Sequence, residues 1–438
     1  MSIMEEIILK VDSMESSLIE QRRDIHQHPE TGWTEFRTAS LVATKLKSYG
    51  YEVYLGDTVV NKEAMMGVPS EDTLKKAQDR AISEGADPSL VETMTGGMTG
   101  VIGILHFDNP GPVAALRCDM DCNDVTETDD TNHKPNLDNF ASMHPYEMHA
   151  CGHDGHTTVG LAVAKILSEM KSKLGGTVKF IFQPAEEGVR GAHAMVESGL
   201  IDNVNYMLGA HFGFQMKQTG SIACDVTGFL ATTKYDAVFT GIPAHAGAAP
   251  ETGKNALLAA ACAALNLHAI ARHSAGASRI NVGKLIAGSG RNVIGDKALI
   301  QLETRGASSE INQYMEDEAA RVLKAAAAMY DVNVEIKKVG GAAGGSNSPK
   351  LAEQLKEYAS ELGIFNKIVG KCDFGASEDF SYFMEHVQAH GGEAAYMMIG
   401  ADLAAGHHDS HFNFDEKALS YSAKMLAYSL SKLLSQKK

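Results

Sequence analysis

The segment HACGHDGH, residues 149–156, contains side chains that can bind a metal ion. It places the thiol of Cys151 two residues before the imidazole of His153. Thiolate and imidazole are ligands for divalent transition metals, zinc in particular. The same pair can equally be ordinary core packing, because free cysteine is among the most buried residue types. The segment therefore predicts a metal site only if the chain supplies further donors.

Further donors follow three apolar runs of the chain. Asp119 and Asp121 follow VAALRC, Glu186 and Glu187 follow VKFIFQP, and His211 is the penultimate residue of MLGAHF. A glutamate pair taken alone is usually solvated surface, and a histidine in an apolar strand is usually a hydrogen-bonded core residue. The carboxyl ends of parallel strands meet at one edge of an α/β sheet, so we expect these side chains to converge.

The donors are sufficient for two metal ions rather than one. The predicted ligands are Cys151, His153, Glu187, His211 and His408, the last in GHHDSHF. A dinuclear site has metals ~3.5–4 Å apart, and a bridging Cys151 thiolate would give each metal three protein donors. Such ions lower the pKa of water from ~15.7 to ~7. This chemistry predicts metal-assisted hydrolysis.

Glu186 is the predicted general base, because hydrolysis needs a carboxylate that does not bind metal. Its task is to take the proton of the attacking water and pass it to the leaving amine. Pro184 ends the preceding strand and bends the chain, so the adjacent Glu186 and Glu187 can face the water and the metal separately.

The elements that must position these groups read as an α/β domain. The apolar runs VIGILHF, VAALRC, VKFIFQP, MLGAHF and YMMIG are continuous rather than alternating, as in strands buried on both faces of a mostly parallel sheet. Apolar residues recur at helical spacing over 159–174 and again over 419–433. We predict a three-layer catalytic domain with helices on both faces of the sheet.

Between residues 227 and 341 the pattern changes to strand, helix, two strands, helix and strand. This order, βαββαβ, is typical of a ferredoxin-like unit. We therefore predict a catalytic domain made of 1–226 and 342–438, with an inserted α+β domain over 227–341. The segment 61–98 is polar and sparse in apolar residues, and we expect it to be a surface excursion.

Composition excludes several classes of function. The chain has 438 residues, 44% apolar and 21% charged, which is typical of a folded enzyme with two domains. A net charge of −16 disfavours nucleic acid as a partner. No run reaches the ~18 apolar residues of a membrane span. Six cysteines without a disulfide-framework spacing, and an N-terminus without a leader, predict a cytoplasmic protein.

The motifs together resemble one family, the dinuclear-metal amidohydrolases and peptidases that include hippurate hydrolases and indole-acetyl-amino-acid hydrolases. The resemblance spans about 400 residues and rests on RCDMD, HACGHDGHT, FQPAEEG, GAH, GIPAHAG, GRNVI and HDSHF before FDE. It implies the same ligand set and the same base. Among His407, His408 and His411, the family spacing to Phe412 selects His408.

The resemblance also implies roles for residues that the spacing alone does not single out. Asp119 would orient a metal ligand. His245 would stabilise the oxyanion of the tetrahedral intermediate across a dimer interface. Asn292 and Arg305 would contact substrate, the arginine as a bidentate clamp on a carboxylate. Without the family, a turn histidine and a surface charge on a strand edge explain His245 and Arg305 equally well.

The implied reaction is hydrolysis of the amide between an aromatic acyl group, such as p-aminobenzoyl, and glutamate. The alternatives are a broader N-acyl-amino-acid deacylase or dipeptidase, and a chain that is active only with a homologous partner. The implied cofactors are two divalent ions, manganese or zinc, and the implied assembly is a homodimer or a heterodimer. The chain departs from the family at NVIGD and DMDCND, where relatives commonly read NVIPD and DMDALP. These departures concern the fit of the substrate rather than metal binding.

Overall fold

The computed structural model describes residues 1–436, which form two compact units. Unit 1 comprises Met1–Thr227, Ser346–Phe374 and Asp379–Lys438. Unit 2 comprises Gly228–Gly345 and Gly375–Glu378. The chain therefore leaves unit 1 to build unit 2, returns, and then contributes a second, short segment to unit 2.

Twelve strands of the described chain form two sheets. Their bounds are β1 (Glu52–Leu55), β2 (Val101–His106), β3 (Asn109–Asp119), β4 (Gly175–Gln183), β5 (Tyr206–Phe212), β6 (Ser221–Thr227), β7 (Ala231–Thr240), β8 (Ser278–Ala287), β9 (Lys297–Gly306), β10 (Asn333–Ala342), β11 (Lys367–Asp373) and β12 (Glu393–Ile399). The sheet of unit 1 has the order β1-β2-β4-β3-β5-β12-β6-β11. Its four central strands, β4, β3, β5 and β12, are mutually parallel, whereas β1, β2 and the β12–β6 pair are antiparallel to their neighbours.

Thirteen α-helices within residues 1–436 accompany the sheets. Their bounds are α1 (Ile3–Ser13), α2 (Glu15–Gln27), α3 (Phe36–Ser48), α4 (Glu71–Ser83), α5 (Pro88–Thr93), α6 (Lys134–Leu137), α7 (His153–Glu169), α8 (Ala192–Val196), α9 (Ala256–His268), α10 (Ser309–Met329), α11 (Pro349–Leu362), α12 (Phe380–Ala389) and α13 (Lys417–Leu434). Helices α7, α11 and α13 share one apolar core with alternate residues of the strands, such as Phe180 and Phe182 of β4. Helices α8 and α12 pack together, and α12 also packs on β5 and β12. Unit 1 is thus the three-layer α/β domain with a mostly parallel sheet that the continuous apolar runs predict.

Helix α7 begins and ends earlier in the chain than the helical spacing over 159–174 predicts. It begins at His153 rather than near residue 159, so His153 lies in its first turn and not before the helix. Its residues are buried on nearly every side, because α2, α3, α13 and the sheet all pack against it. The N-cap is Gly152 with φ 93°, a left-handed conformation that glycine adopts without steric cost. This turn carries the chain from Cys151 directly into the helix.

The segment 61–98 is not only a surface excursion, and the expectation is wrong for one of its faces. It contains α4 and α5, each with a capping side chain, Ser70 and Asp87 respectively. Leu74, Leu90 and other apolar residues of these helices join the same core as α3. The apolar residues are few, but helical spacing places them on a single buried side.

Unit 2 is a four-stranded antiparallel sheet covered by two helices. The order along the chain is β7, α9, β8, β9, α10, β10, and the order in the sheet is β10-β7-β9-β8. This is the ferredoxin-like βαββαβ arrangement that the sequence predicts. Alternate strand residues such as Ile300 and Leu302 are buried with the small-residue face of α9. Unit 2 therefore has a core of its own.

Candidate metal centre

The polar residues that follow the central strands lie at one edge of the sheet of unit 1. Strands β4, β3, β5 and β12 are parallel neighbours, so their carboxyl ends share that edge. The chain then places Glu186 and Glu187 just after β4, His211 at the end of β5, and His408 in the connection after β12. His153 reaches the same place from the first turn of α7.

The five predicted ligands form two groups that share one residue. One group is Cys151, His153 and His211, and the other is Cys151, Glu187 and His408. Within each group the candidate ligand atoms all lie within 4.8 Å of one another. The thiol of Cys151 is 3.5 Å from Nε2 of His211. A donor shared between two sets of three is an arrangement that suits a dinuclear site.

The tautomers of two histidines leave a lone pair directed at this space. Nδ1 of His153 lies 2.9 Å from the carbonyl oxygen of Asp121, and Nδ1 of His211 lies 2.8 Å from that of Phe212. A carbonyl oxygen only accepts, so Nδ1 must carry a proton in both rings, and in the neutral form of each ring Nε2 holds the lone pair. Nε2 of His153 is buried and makes no hydrogen bond with any described residue. Both imidazoles are thus oriented to bind a metal through Nε2 once that nitrogen carries no proton.

The electrostatics of the site match a cationic occupant. Burial lowers the pKa of His153, but the carboxylates of Asp119 and Asp121 outweigh it and raise the pKa to about 10. Burial raises the pKa of Glu187, but the hydrogen bond from His408 and the charge of His153 bring it to about 2. Nε2 of His408 lies 3.2 Å from Oε1 of Glu187. The buried carboxylates therefore favour positive charge at this position, which a proton or a metal ion can supply.

Asp119 is held by neighbouring side chains beside the donor groups, and it forms a further candidate grouping with His153 and His156. Its Oδ1 accepts a hydrogen bond of 2.7 Å from Nδ1 of His156, whose Nε2 accepts from the backbone N–H of Phe212. Its Oδ2 accepts one of 2.5 Å from Arg117. Burial raises the pKa of Asp119, but His153, His156 and Arg117 hold it well below its ordinary value. Asp119 is an ionised carboxylate next to the ligands, with Oδ2 3.8 Å from Nε2 of His153.

Asp121 is the residue whose importance sequence reasoning missed. Its carbonyl oxygen orients His153, and its Oδ2 accepts a hydrogen bond of 2.8 Å from the backbone N–H of Glu187. One residue therefore contacts two predicted ligands that come from different elements. The signal was present in the sequence, because Asp121 follows β3 as Asp119 does, but no motif rule distinguishes their roles.

Glu186 lies beside the donor groups, with its side chain 11% exposed. Its Oε2 is 3.9 Å from Nε2 of His153, and a further grouping joins both with Glu187. His407 and His411, the other histidines near His408, are placed differently. His407 stacks on Phe214 and lies 3.1 Å from the carbonyl oxygen of Phe212, and His411 is exposed beside Asp409.

His245, Asn292 and Arg305 belong to unit 2. The backbone N–H of Ala246 donates to the carbonyl of Asn292, so the first two lie side by side. Nδ1 of the exposed His245 accepts from the N–H groups of two residues of its turn, which leaves its proton on Nε2. Arg305 is on β9, where Nε and one terminal nitrogen donate to the two carboxylate oxygens of Glu303. Their roles toward substrate stay predictions.

The sheet with candidate donor groups at its carboxyl edge, joined through Cys151, is consistent with a metal-dependent amidohydrolase, and the comparison with known families shows that class. The sequence profile of the peptidase family M20/M25/M40 matches residues 115–432 of this chain. The chain belongs to this family. Within residues 1–436, no helix has the length and the hydropathy that crossing a bilayer requires.

Two relatives and one crystal structure are similar over nearly the whole chain. The chain is 48% identical over 425 residues to one of the subunits of the p-aminobenzoyl-glutamate hydrolase of Escherichia coli, covering 97% of each. It is 47% identical over 407 residues to the indole-3-acetyl-aspartic acid hydrolase of Enterobacter agglomerans, covering 93% of each. The crystal structure of an aminobenzoyl-glutamate utilization protein from Klebsiella pneumoniae superposes with a TM-score of 0.82 at 40% identity, covering 96% of this chain and 97% of that one.

Proposed function

We propose that this chain hydrolyses the amide bond of p-aminobenzoyl-glutamate with two divalent metal ions, manganese or zinc. The observation that carries the proposal is the pair of donor groups that share Cys151, with Glu186 beside them. The choice of substrate is supported by the similarity to the Escherichia coli enzyme over 97% of both chains.

The ligands we assign are the two groups already described. Cys151, His153 and His211 would hold one ion, and Cys151, Glu187 and His408 the other. The buried Nε2 of His153, which makes no hydrogen bond with a described residue, fits this assignment. When bound, such ions polarise the amide carbonyl and lower the pKa of water from ~15.7 to ~7.

Glu186 is the residue we assign to proton transfer. Its carboxylate lies at the edge of both donor groups and retains partial access to solvent. It would take the proton of the attacking water and deliver it to the nitrogen of the departing amino acid. Glu187 lies against His408 and would bind metal with it. The adjacent Glu186 would then be the glutamate that carries the proton.

His245, Asn292 and Arg305 are the residues we assign to the substrate. The tautomer of His245 offers an Nε2–H donor, as an oxyanion requires. Asn292 lies beside it and would contact the substrate. Arg305 would exchange its pairing with Glu303 for the substrate carboxylate. We propose that unit 2, the inserted domain, serves as lid and dimerisation domain.

The protein partner we propose is a second chain of this fold, identical or homologous. The Escherichia coli relative is named as one subunit of its enzyme, which supports a partner chain for that protein. We also propose that the chain works in the cytoplasm, because the structure joins none of the six cysteines of residues 1–436 in a disulfide.

A second candidate is an enzyme that prefers another N-acyl amino acid. The 47% identity to the indole-3-acetyl-aspartic acid hydrolase specifically favours it. Metal-loaded chain should be assayed on p-aminobenzoyl-glutamate, indole-3-acetyl-aspartate, hippurate and a dipeptide. We expect kcat/KM for p-aminobenzoyl-glutamate to exceed the others by about tenfold or more. A preference for indole-3-acetyl-aspartate would replace the first proposal with the second, and Glu186→Gln protein is the blank for contaminating hydrolases.

A further inference from the structure

The loop between β4 and α8, residues 184–191, holds an unusual backbone conformation. Ala185 and Val189 have φ values of 53° and 57°, and Gly188 between them has φ 83°. Left-handed backbone is sterically disfavoured for residues other than glycine. This loop also carries Glu186 and Glu187. The directions in which the two glutamates point therefore depend on a conformation that the loop alone does not favour.

Glu35 holds the first of these strained positions. Its side chain is fully buried just before α3. Oε1 accepts a hydrogen bond of 2.8 Å from the backbone N–H of Ala185, and Oε2 accepts one of 2.6 Å from the hydroxyl of Thr99. The carboxylate thus fixes the backbone one residue before Glu186.

Arg190 holds the other end of the loop. Its Nε donates to the carbonyl oxygen of Glu187 at 2.9 Å, and its Nη1 donates to the carbonyl oxygen of Gly67 at 3.1 Å. At the same residue, the N–H of Glu187 donates to Asp121. The backbone of Glu187 is therefore held at both its donor and its acceptor.

Gly67 is itself held in place, because it belongs to the segment 61–98, whose apolar residues pack in the core of unit 1. The preceding carbonyl, that of Met66, accepts a hydrogen bond of 2.8 Å from the indole of Trp33. Trp33 is fully buried. At the start of the segment, the N–H of Asn61 donates to the carbonyl of Ala194 at 2.8 Å. The segment 61–98 is thus hydrogen-bonded both to Trp33 and to Ala194, which lies in α8 just after the loop 184–191.

We propose that Glu35 and Arg190 are positioning residues for the reaction, and that the segment 61–98 braces the loop through Gly67. Together they keep Glu186 and Glu187 directed at different targets. The inference rests on the proposed roles of these two glutamates. Catalytic geometry tolerates displacements of only about 0.5 Å, so release of either contact should impair both proton transfer and metal binding.

Arg190→Met tests the brace, with Arg80→Met as the matched control. Arg80 belongs to the same segment but pairs with Glu147, which is not a residue of the loop. Two quantities should be measured on each protein: kcat on p-aminobenzoyl-glutamate, and the affinity for Mn²⁺ or Zn²⁺ by calorimetry. The fluorescence emission of Trp33, the only tryptophan, reports whether the segment 61–98 still packs against it.

We expect Arg190→Met to lower kcat and metal affinity by about 10–100-fold, with KM changed little and Trp33 emission unchanged. Arg80→Met should match the wild type. Glu35→Gln should retain activity, since its amide oxygen still accepts from Ala185 and its NH₂ can donate to Thr99. Glu35→Ala should lose activity as Arg190→Met does. If the emission of Trp33 changes in Arg190→Met, the more conservative Arg190→Lys replaces it as the test. We expect Arg190→Lys to lose kcat and metal affinity to an intermediate extent.

Three results would overturn the proposal. They are wild-type kcat and metal affinity in Arg190→Met, an equal loss in Arg80→Met, or an equal loss in Glu35→Gln and Glu35→Ala. Metal affinity is measured without substrate, so it tests the brace even if the substrate assignment fails. A wild-type rate in Glu186→Gln would instead refute the proposed function and leave the metal measurement to decide the brace.

Discussion

Replacement of Asp154 by asparagine should destabilise unit 1 strongly, because it leaves a buried arginine without its main counter-ion. Arg22 and Asp154 are completely buried, and Nε of Arg22 lies 2.7 Å from Oδ2 of Asp154. The same oxygen is 2.8 Å from Nδ1 of His26. Asparagine at this position would present a neutral group to Arg22 and His26, although its size and shape are nearly those of aspartate.

The expected loss is about 3 kcal/mol. Removal of one partner from a buried ion pair costs about 3–5 kcal/mol. The lower end applies because Arg22 retains a carboxylate oxygen of Glu416 at 3.5 Å and the amide oxygen of Asn413 at 2.9 Å. Its guanidinium also lies 4.5 Å from the ring centre of Phe414. These contacts compensate the charge only in part, since Glu416 is shared with Arg23.

Denaturant unfolding of the metal-free protein, followed by the emission of Trp33, measures this loss. Trp33 is the only tryptophan and lies in the core of unit 1, so the signal reports that unit. Asp138→Asn is the control, because Asp138 pairs with Arg23 at 34% side-chain exposure, where an ion pair is screened by solvent and its loss should change stability little. A loss below ~1 kcal/mol for Asp154→Asn would refute the reasoning.

The pH dependence of the stability of this variant tests whether the charged form of Asp154 is the one that stabilises the folded state. Burial raises the pKa of Asp154, but Arg22 and His26 outweigh it and hold the pKa far below its ordinary value. A carboxyl group with a depressed pKa stabilises the folded state above its unfolded pKa of ~3.9, and this stabilisation is lost as the pH falls. The wild type and Asp154→Asn should therefore converge in stability towards low pH. A difference that grows with acidity would contradict the assignment.

Two further predictions concern the metal ligands and a buried carboxyl group. Cys151→Ala should bind fewer than two metal ions per chain, because the variant removes a donor from both groups, and an unchanged metal content by elemental analysis would count against the bridge. Burial raises the pKa of Glu30 to about 7, although the backbone N–H groups of Arg37 and Thr38 donate to it. The folded state then retains a proton that the unfolded state has lost, so stability should fall by roughly 3 kcal/mol as the pH rises from about 5 to 8. Glu30→Gln should remove that part of the slope in denaturant titrations, and a wild-type slope in the variant would be inconsistent with the burial effect.

The sequence predicts this site well where a residue combines a metal-binding side chain with a position at the end of a strand. Glu187 and His211 could be assigned to one place because Glu187 follows β4 and His211 is the penultimate residue of β5, and parallel strands end at one edge. Cys151 and His153 could be assigned from their types and spacing. The partition into two groups that share Cys151 is consistent with the count of donors, which left a thiolate as the bridge.

The residues that sequence reasoning left without a role act through the backbone. Asp121 and Arg190 position Glu187 by contacts with its N–H and its carbonyl oxygen, and Glu35 does the same for Ala185. Such contacts depend on where the main chain turns, and residue type alone does not encode them. The expectation for the segment 61–98 was wrong for a related reason: its few apolar residues pack on one side, and Gly67 contributes only its carbonyl group.

The central claim, that two metal ions and Glu186 together hydrolyse the amide, is tested most directly by measuring metal content and p-aminobenzoate release in the same samples. Wild-type protein and Glu186→Gln should be loaded with Mn²⁺ or Zn²⁺ and freed of excess metal. Both should retain two ions per chain, and the variant should lose at least about 10²-fold in turnover of p-aminobenzoyl-glutamate. Wild-type turnover in Glu186→Gln, or full turnover by wild-type protein stripped of metal, would contradict the account.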